Sequence, residues 1–154
     1  MAKRRDLIRM TPDEVEAFLA GRRTMNVATI GPDGRVHLVA MWYGFVDGKP
    51  AFETYTRSQK VMNLQRDPRI TVLVEDGDTY DELRGVELVG TATIHEDRGT
   101  VMACAASVVE RYFPTGSTEE AQLIAEGLAN KRVAVVIDVE RTVSWDHTKL
   151  AGGY

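Results

Sequence analysis

The sequence predicts a mainly β fold with a few helices, a small closed barrel of about six antiparallel strands. Three observations predict it. Short apolar runs alternate with turn signals, Pro32-Asp33-Gly34 and Asp47-Gly48, so the first half reads as an antiparallel meander. The run 36–46 is apolar on both faces, with Val36, Leu38, Ala40 and Trp42 on one and Val39, Met41, Tyr43 and Phe45 on the other. A strand of a simple two-layer sheet would alternate apolar with polar, so this one needs cover on both sides, from a barrel interior and from a helix or second subunit. Hydrophobic residues are 44% and charged residues 27% of 154, which suits one domain with one core.

The elements follow in order. Thr11-Pro12-Asp13-Glu14 has the form of a capping box with proline at the first helical position, and Val15, Phe18 and Leu19 share a stripe, so a helix is expected over 12–20. Strands are expected over 24–30, 36–46 and 50–54. A short helix over 58–66 is stopped by Asp67-Pro68. A strand over 70–75 leads into a polar loop at 76–82, then into a long strand over 84–96 with Val86, Leu88, Ala92 and Ile94 facing inward. The period then becomes helical: Val101, Ala105, Val108, Val109 and Tyr112 mark one helix, and Ala121, Ile124, Ala125 and Leu128 another after the break at Pro114-Thr115-Gly116. A valine-rich strand over 132–143 closes the pattern, and the tail from Ser144 reads as irregular. The main strands (24–96), a helical insertion (99–129) and the last strand (132–143) form one domain over 1–154, with no repeat and no linker. Six antiparallel strands with short turns favour a closed barrel over a doubly wound sheet.

Formal net charge is -4 and the pI about 5.4, so the chain exerts no general pull on nucleic acid, and an anion site must come from a local basic cluster. The basic start Met1-Ala2-Lys3-Arg4-Arg5 lacks a following apolar run and is not read as a secretory signal. No stretch is long enough to span a bilayer. Cys104 is the single cysteine and cannot form an internal disulfide. These features point to a cytoplasmic protein.

Chemistry concentrates in Tyr55-Thr56-Arg57-Ser58-Gln59-Lys60-Val61-Met62-Asn63-Leu64, where a strand ends and a helix begins. The first turn of a helix leaves amide groups free and its dipole favours negative charge. Ser58 suits the N-cap, and Thr56, Arg57, Ser58 and Lys60 add two hydroxyls and two cations. That set fits a phosphate ester, with Arg57 gripping two oxygens and Lys60 acting as a point charge. The plainer reading is a solvated helix start with ordinary surface cations. No glycine-rich phosphate loop is present.

The order of residues adds to this. Arg57-Ser58-x-Lys60-x-x-Asn63-Leu64-x-Arg66-Asp67-Pro68-Arg69 resembles the signature of the pyridoxamine 5'-phosphate oxidase-like superfamily of flavin and deazaflavin binders. Asn26-Val27-Ala28-Thr29-Ile30 with Asp33-Gly34-Arg35 resembles that family's first hairpin, and Met41-Trp42-Tyr43 the end of its second strand, with Ala40 where a proline often stands. Val143-Ser144-Trp145-Asp146-His147-x-Lys149-Leu150 looks like the branch that uses the deazaflavin coenzyme F420. The resemblance spans roughly 12–150. It implies an FMN-binding-like split β-barrel and a homodimer with cofactor sites between subunits.

By resemblance, the cofactor phosphate lies near Arg57, Ser58 and Lys60, while Asn63 and Leu64 fix the helix to the barrel. The ring lies along Met41, Trp42 and Tyr43, with Thr54, Tyr55 and Thr56 at its edge. Trp145 and Lys149 close the site, from this subunit or the other. The implied activity is that of an oxidoreductase passing a hydride between reduced coenzyme F420 and a conjugated small organic substrate. FMN is the alternative cofactor, and a carrier without turnover is the alternative role. Arg22, Arg23, Lys49 and Arg66 are candidates to meet the acidic tail of the deazaflavin. The chain ends Lys149-Leu150-Ala151-Gly152-Gly153-Tyr154, without the arginine-containing substrate motif and terminal proline of true pyridoxamine phosphate oxidases, which argues against vitamin B6 oxidation.

No catalytic triad or carboxylate pair stands out, as suits a protein whose cofactor carries the reactive atom. Tyr43, Tyr55 or solvent are the candidate proton donors. Cys104 reads as a packed, inert thiol. His37, His95 and His147 are far apart and predict no metal site. Asp76, Asp78, Asp81 and Glu82 read as a solvated acidic loop, Glu119-Glu120 as dipole-matched residues of a helix start, and Trp42 and Trp145 have an alternative as ordinary core.

Overall fold

The computed structural model describes residues 3–150, so the tail residues 151–154 lie outside it. A short helix α1 (Arg4–Leu7) precedes α2 (Pro12–Ala20). The capping box is complete: Thr11 Oγ1 accepts from the Glu14 amide at 3.2 Å and the Glu14 carboxylate accepts from the Thr11 amide at 2.7 Å. Phe18 and Leu19 bury the inner face of α2.

Seven strands and three further helices follow. They are β1 (Met25–Ile30), β2 (Val36–Met41), β3 (Gly44–Val46), β4 (Lys49–Tyr55), α3 (Gln59–Arg66), β5 (Arg69–Asp76), β6 (Arg84–His95), α4 (Arg98–Tyr112), α5 (Thr118–Ala129) and β7 (Arg132–Asp146). All seven strands form one antiparallel sheet in the order β2-β1-β5-β6-β7-β4-β3. The expected mainly β barrel is present, curled into a split form, with seven strands rather than about six. The extra strand arises because the run 36–46 breaks at Trp42 and Tyr43. Its first half pairs with β1 and its second half with β4.

That break explains the curl. The strands β2 and β3 occupy opposite ends of the strand order, yet only two residues separate them along the chain. Two residues span about 7 Å, so the two edges must come together and the sheet must roll up. The β3–β4 hairpin is tight, with Asp47 and Gly48 both at positive φ (50° and 77°), the pair of conformations that a two-residue hairpin of matching twist requires.

The last strand runs to Asp146 instead of ending at Val143, and a 3-10 turn at His147–Lys149 follows it. The cause is a bulge: Val89 faces Arg141 but Gly90 faces Val139, leaving Glu140 as the extra residue. Up to Ile137, the valines on both faces of β7 are buried. Val133, Val135 and Ile137 fill the barrel interior with Met25, Val27, Tyr43, Phe52 and Val72. Ala134 and Val136 face outward, where Val101, Cys104, Ala105 and Val109 of α4 and Ala125 and Ala129 of α5 cover them with Ala51.

The outer face of β2 is treated differently. Val39 and Met41 pack against the interior, but Val36 and Leu38 are each 66% exposed. The chain's own helices reach only the end of this face, where Trp42 stacks on Tyr112 with ring centroids 5.0 Å apart.

Candidate functional site

The junction of β4 and α3 is held from below. Ser58 occupies the N-cap position of α3, and its amide donates to the Tyr55 carbonyl at 2.9 Å. Its hydroxyl makes no capping bond and instead accepts from Thr54 Oγ1 at 3.3 Å. Thr56 clasps the neighbouring turn, its amide and hydroxyl both donating to the Lys131 carbonyl at 3.1 Å. The inner side of α3 is pinned to β1: Asn63 is fully buried and donates to Thr29 Oγ1 at 3.0 Å, Leu64 is buried beside it, and Arg66 reaches the Ile30 carbonyl.

On this platform Lys60 is only 9% exposed. Its ammonium donates to Thr54 Oγ1 at 2.9 Å, and no carboxylate among the described residues pairs with it. Burial lowers its pKa, because desolvation penalises the charged form. A cation held this way, with one neutral partner, is unusual and lacks a counter-charge.

Lys60 lies in the wall of an open cleft of about 570 Å³. The end of β2 contributes Ala40 and Met41, the break after it Trp42, β4 contributes Glu53, Thr54 and Tyr55, and Val108, Leu128 and Arg132 close the other side. Trp42 is 50% exposed, stacked on Tyr112 and met edge-on by Phe113 at 5.5 Å. The Arg132 guanidinium lies 4.5 Å over the Tyr55 ring and donates to the Leu128 carbonyl at 2.6 Å. The cleft thus combines aromatic faces with a buried cation at one wall. Such a set suits a planar ring that carries an anionic arm.

Five of the sequence-derived candidates meet there: Met41, Trp42, Thr54, Tyr55 and Lys60. Ser58 joins through its bond to Thr54. Thr56 and Arg57 stand exposed at the turn outside the lining.

Tyr43 requires a correction. Neighbours on an extended chain point opposite ways, so Trp42 faces the cleft and Tyr43 enters the barrel. Its side chain is fully buried and its hydroxyl donates to the Leu19 carbonyl at 2.6 Å. Burial pushes its phenol up, so it is neither a cleft residue nor an available acid.

Trp145 and Lys149 also fall elsewhere within this chain. Trp145 lies across Gly85, where a Cβ would collide with the indole, and Lys149 donates to the Arg9 carbonyl at 2.8 Å and to the Glu14 carboxylate.

Other expectations shift as well. Asp76 is not part of a purely solvated loop. It takes hydrogen bonds from Arg84 Nε at 3.0 Å and Nη2 at 2.8 Å and from Arg23 Nε at 3.0 Å. Among the cations considered for an acidic tail, Arg23 is therefore engaged, Lys49 pairs with Asp138 at 2.6 Å, and Arg66 is bound to Ile30. Arg22 is exposed. Trp42 is not ordinary core. Cys104 is fully buried and its thiol pushed well up by burial, so it is unreactive. Among the described residues no three metal-ligating side chains gather, and no helix is long and apolar enough to cross a membrane.

Glu53, Val108, Leu128 and Arg132 were missed as cleft residues. Glu53 left a trace in the sequence. It shares a strand face with Ala51, and that face is covered by helices, so a carboxylate there is out of place. The helical positions left none, because only the tertiary fold brings α4 and α5 to this wall.

Comparison with known proteins gives the fold a family. Among solved structures, the conserved hypothetical protein Rv2991 from Mycobacterium tuberculosis is 46% identical, with a TM-score of 0.90 over 99% of this chain and 95% of that one. An F420 reductase matches at 23% identity and TM-score 0.63, over 82% of this chain and 94% of that one. HutZ, a heme storage protein from Vibrio cholerae, matches at 15% identity and TM-score 0.67, over 86% and 94%. The last two share the fold alone. No curated protein matches the chain. The family model described as pyridoxamine 5'-phosphate oxidase matches residues 11–146, and the chain belongs to that family.

Proposed function

We propose that this member of the pyridoxamine 5'-phosphate oxidase family binds a phosphorylated flavin-type cofactor in the cleft above Lys60 and acts as an oxidoreductase. The cofactor proposed is coenzyme F420, and the substrate a conjugated small organic molecule. The carrying observation is Lys60 itself, a buried ammonium on a cleft wall whose sole hydrogen-bond partner among the described residues is a neutral hydroxyl. A phosphate would supply the missing negative charge and be held by charge-assisted hydrogen bonds. The residues present fit such a group: Ser58 has a hydroxyl not spent on capping, Arg57 adds an exposed cation at the helix start, and Trp42, Met41 and Leu128 offer apolar surface for a ring.

The cofactor supplies hydride chemistry when bound, and the chain's work is binding and placement. Lys60 and Ser58 anchor the anionic arm. Trp42, backed by Tyr112, sets the plane against which flat molecules stack. The apolar walls exclude water from the stacked faces.

The choice of coenzyme F420 over FMN rests on the resemblance of the segment Val143–Leu150 to the deazaflavin-using branch. The exposed Val36 and Leu38 on β2 support a homodimer that covers them. A cytoplasmic location is proposed from the lone, buried thiol.

The test is a fluorescence or absorbance titration of the purified protein with coenzyme F420 and with FMN. Micromolar binding of F420, with weaker binding of FMN, is expected. Tighter FMN binding would transfer the reading to a flavin enzyme, and binding of neither would overturn it. A bound reduced cofactor that no conjugated acceptor oxidises would mark a carrier.

A further inference from the structure

Glu53 is the acidic group that lines the cleft, and one of its oxygens finds no hydrogen-bond partner among the described residues. Its Oε2 is shut off from solvent and has no hydrogen-bond partner. Buried carboxyl oxygens are almost always satisfied, so an orphan on a cavity wall marks a place where a ligand's polar atom belongs. The strand pattern sets its direction: Glu53 faces α4 and α5 with Ala51, while Phe52 enters the barrel.

The groups around it are few. On β7, Arg132 is the cation that acts on it, but its guanidinium is committed to the Leu128 carbonyl and the Tyr55 ring. On α4 the titratable neighbour is the buried Cys104 thiol, which Glu53 itself helps to keep protonated. On α3, Lys60 lines the same cleft but is turned to Thr54. From α5, Leu128 is apolar.

We propose that Glu53 positions the ring of the bound ligand, its carboxyl group donating a hydrogen bond to a carbonyl oxygen or ring nitrogen. This rests on the reading of the cleft as a cofactor site. A carboxyl donates only when protonated. Burial, offset in part by the charge of Arg132, pushes Glu53 up to about 7, so it holds its proton in a large share of molecules at neutral pH. Consecutive residues of β4 then divide the ligand between them. Thr54 holds the lysine that meets the anionic arm, and Glu53 meets the ring. With its proton in place the carboxyl favours ring compounds that present an acceptor edge.

Binding and protonation must then be linked, because a ligand that favours the protonated carboxyl raises its pKa. The experiment titrates coenzyme F420 and FMN, separately, into the wild type and Glu53→Gln from pH 6 to pH 8. The amide of the variant donates at every pH, and the variant also corrects for protons that the ligand itself gains or loses. The affinity of the wild type is expected to fall about tenfold more than that of the variant across this range.

In parallel, the carboxyl carbon of Glu53 is followed by NMR in the empty and loaded wild type, a readout that needs no variant. Its titration midpoint should move upward on loading. If a cofactor binds with the same pH profile in both proteins, or the midpoint does not move, Glu53 has no such role and the cofactor reading stands. If neither ligand binds the wild type, both readings fall together.

Discussion

At two places among the described residues charge is withdrawn from solvent in part or in full, and the chain treats the two oppositely. At the end of β5, Asp76 is gripped by Arg23 and Arg84, and both guanidinium groups lie over the Phe18 ring, at 3.9 and 5.3 Å. Every charge there has an opposite charge in contact. At the β4–α3 junction, Lys60 has one hydroxyl and the buried oxygen of Glu53 has nothing. Leaving a charge without a counter-charge in a low-dielectric setting lowers stability, so its persistence points to a partner from outside the chain. The first arrangement holds the fold together, and the second is the place where the proposed cofactor would supply the missing partners.

The largest effect that separates them is expected at the paired site. Asp76→Ala leaves two part-buried guanidinium groups facing each other and should cost about 2–4 kcal/mol in urea denaturation, the lower end reflecting their partial exposure. Burial pushes the Asp76 carboxyl up, but the hydrogen bonds from Arg84 and Arg23 more than reverse this and hold it below the ordinary range. Its contribution is therefore present above the unfolded carboxylate pKa and lost as pH falls through the folded value. The variant should lack that acid-side loss while binding cofactor as the wild type does.

The second expected effect falls on affinity instead of stability. Lys60→Met keeps the aliphatic stem and removes the charge. It should weaken cofactor binding by about 1.5–3 kcal/mol, the scale of a hydrogen bond to a charged group. The empty protein should melt no lower than the wild type, because the variant also removes a desolvated cation. A drop in melting temperature like that of Asp76→Ala would show Lys60 to be structural and erase the contrast.

A third, smaller effect reads the sign of the Glu53 shift. Its folded pKa of about 7 lies above the ordinary 4.5, so the folded state binds more protons than the unfolded state between those values. Wild-type stability should fall as pH rises through that window and stay lower beyond it. Glu53→Gln should remove the fall, and be more stable at pH 8 by on the order of 1–2 kcal/mol, less than the full shift implies because the group keeps some solvent contact. Parallel stability curves for the two proteins would mean that the carboxyl is not desolvated.

How much of this was legible in the sequence depended on range. The helix Pro12–Ala20 and the Asp47-Gly48 hairpin were readable because caps and turns are local chemistry. The strand-to-helix junction at Ser58, with Lys60 in the first turn of α3, was readable for the same reason. The break at Trp42 and Tyr43 was not. Both halves of 36–46 have strand patterning, and only the closure of the barrel sends them to opposite edges. Tyr43 was placed in the cleft by resemblance, although alternation along the run already set it on the face opposite Trp42. Glu53 and Arg132 were overlooked because their proximity is set by the register of β4 against β7, which depends on a pairing some eighty residues distant in sequence.

Lys149 gives the smallest expected effect and the sharpest question about which class a cation belongs to. The tail motif made it a candidate for closing the cofactor site, yet in this chain it bridges the Arg9 carbonyl and the Glu14 carboxylate at the cap of α2. Glu14 lies at the surface, and hydrogen bonding from Lys149 and Thr11 lowers its pKa, so this is a paired surface charge of the Asp76 kind in weaker form. Lys149→Ala should lower the melting temperature slightly and leave cofactor affinity where it was. An affinity loss approaching that of Lys60→Met would instead assign Lys149 to a site completed by a second copy of the chain. Sedimentation of the variant alongside the wild type would separate that outcome from simple loss of assembly, since a lysine reaching across an intact dimer alters binding without altering mass.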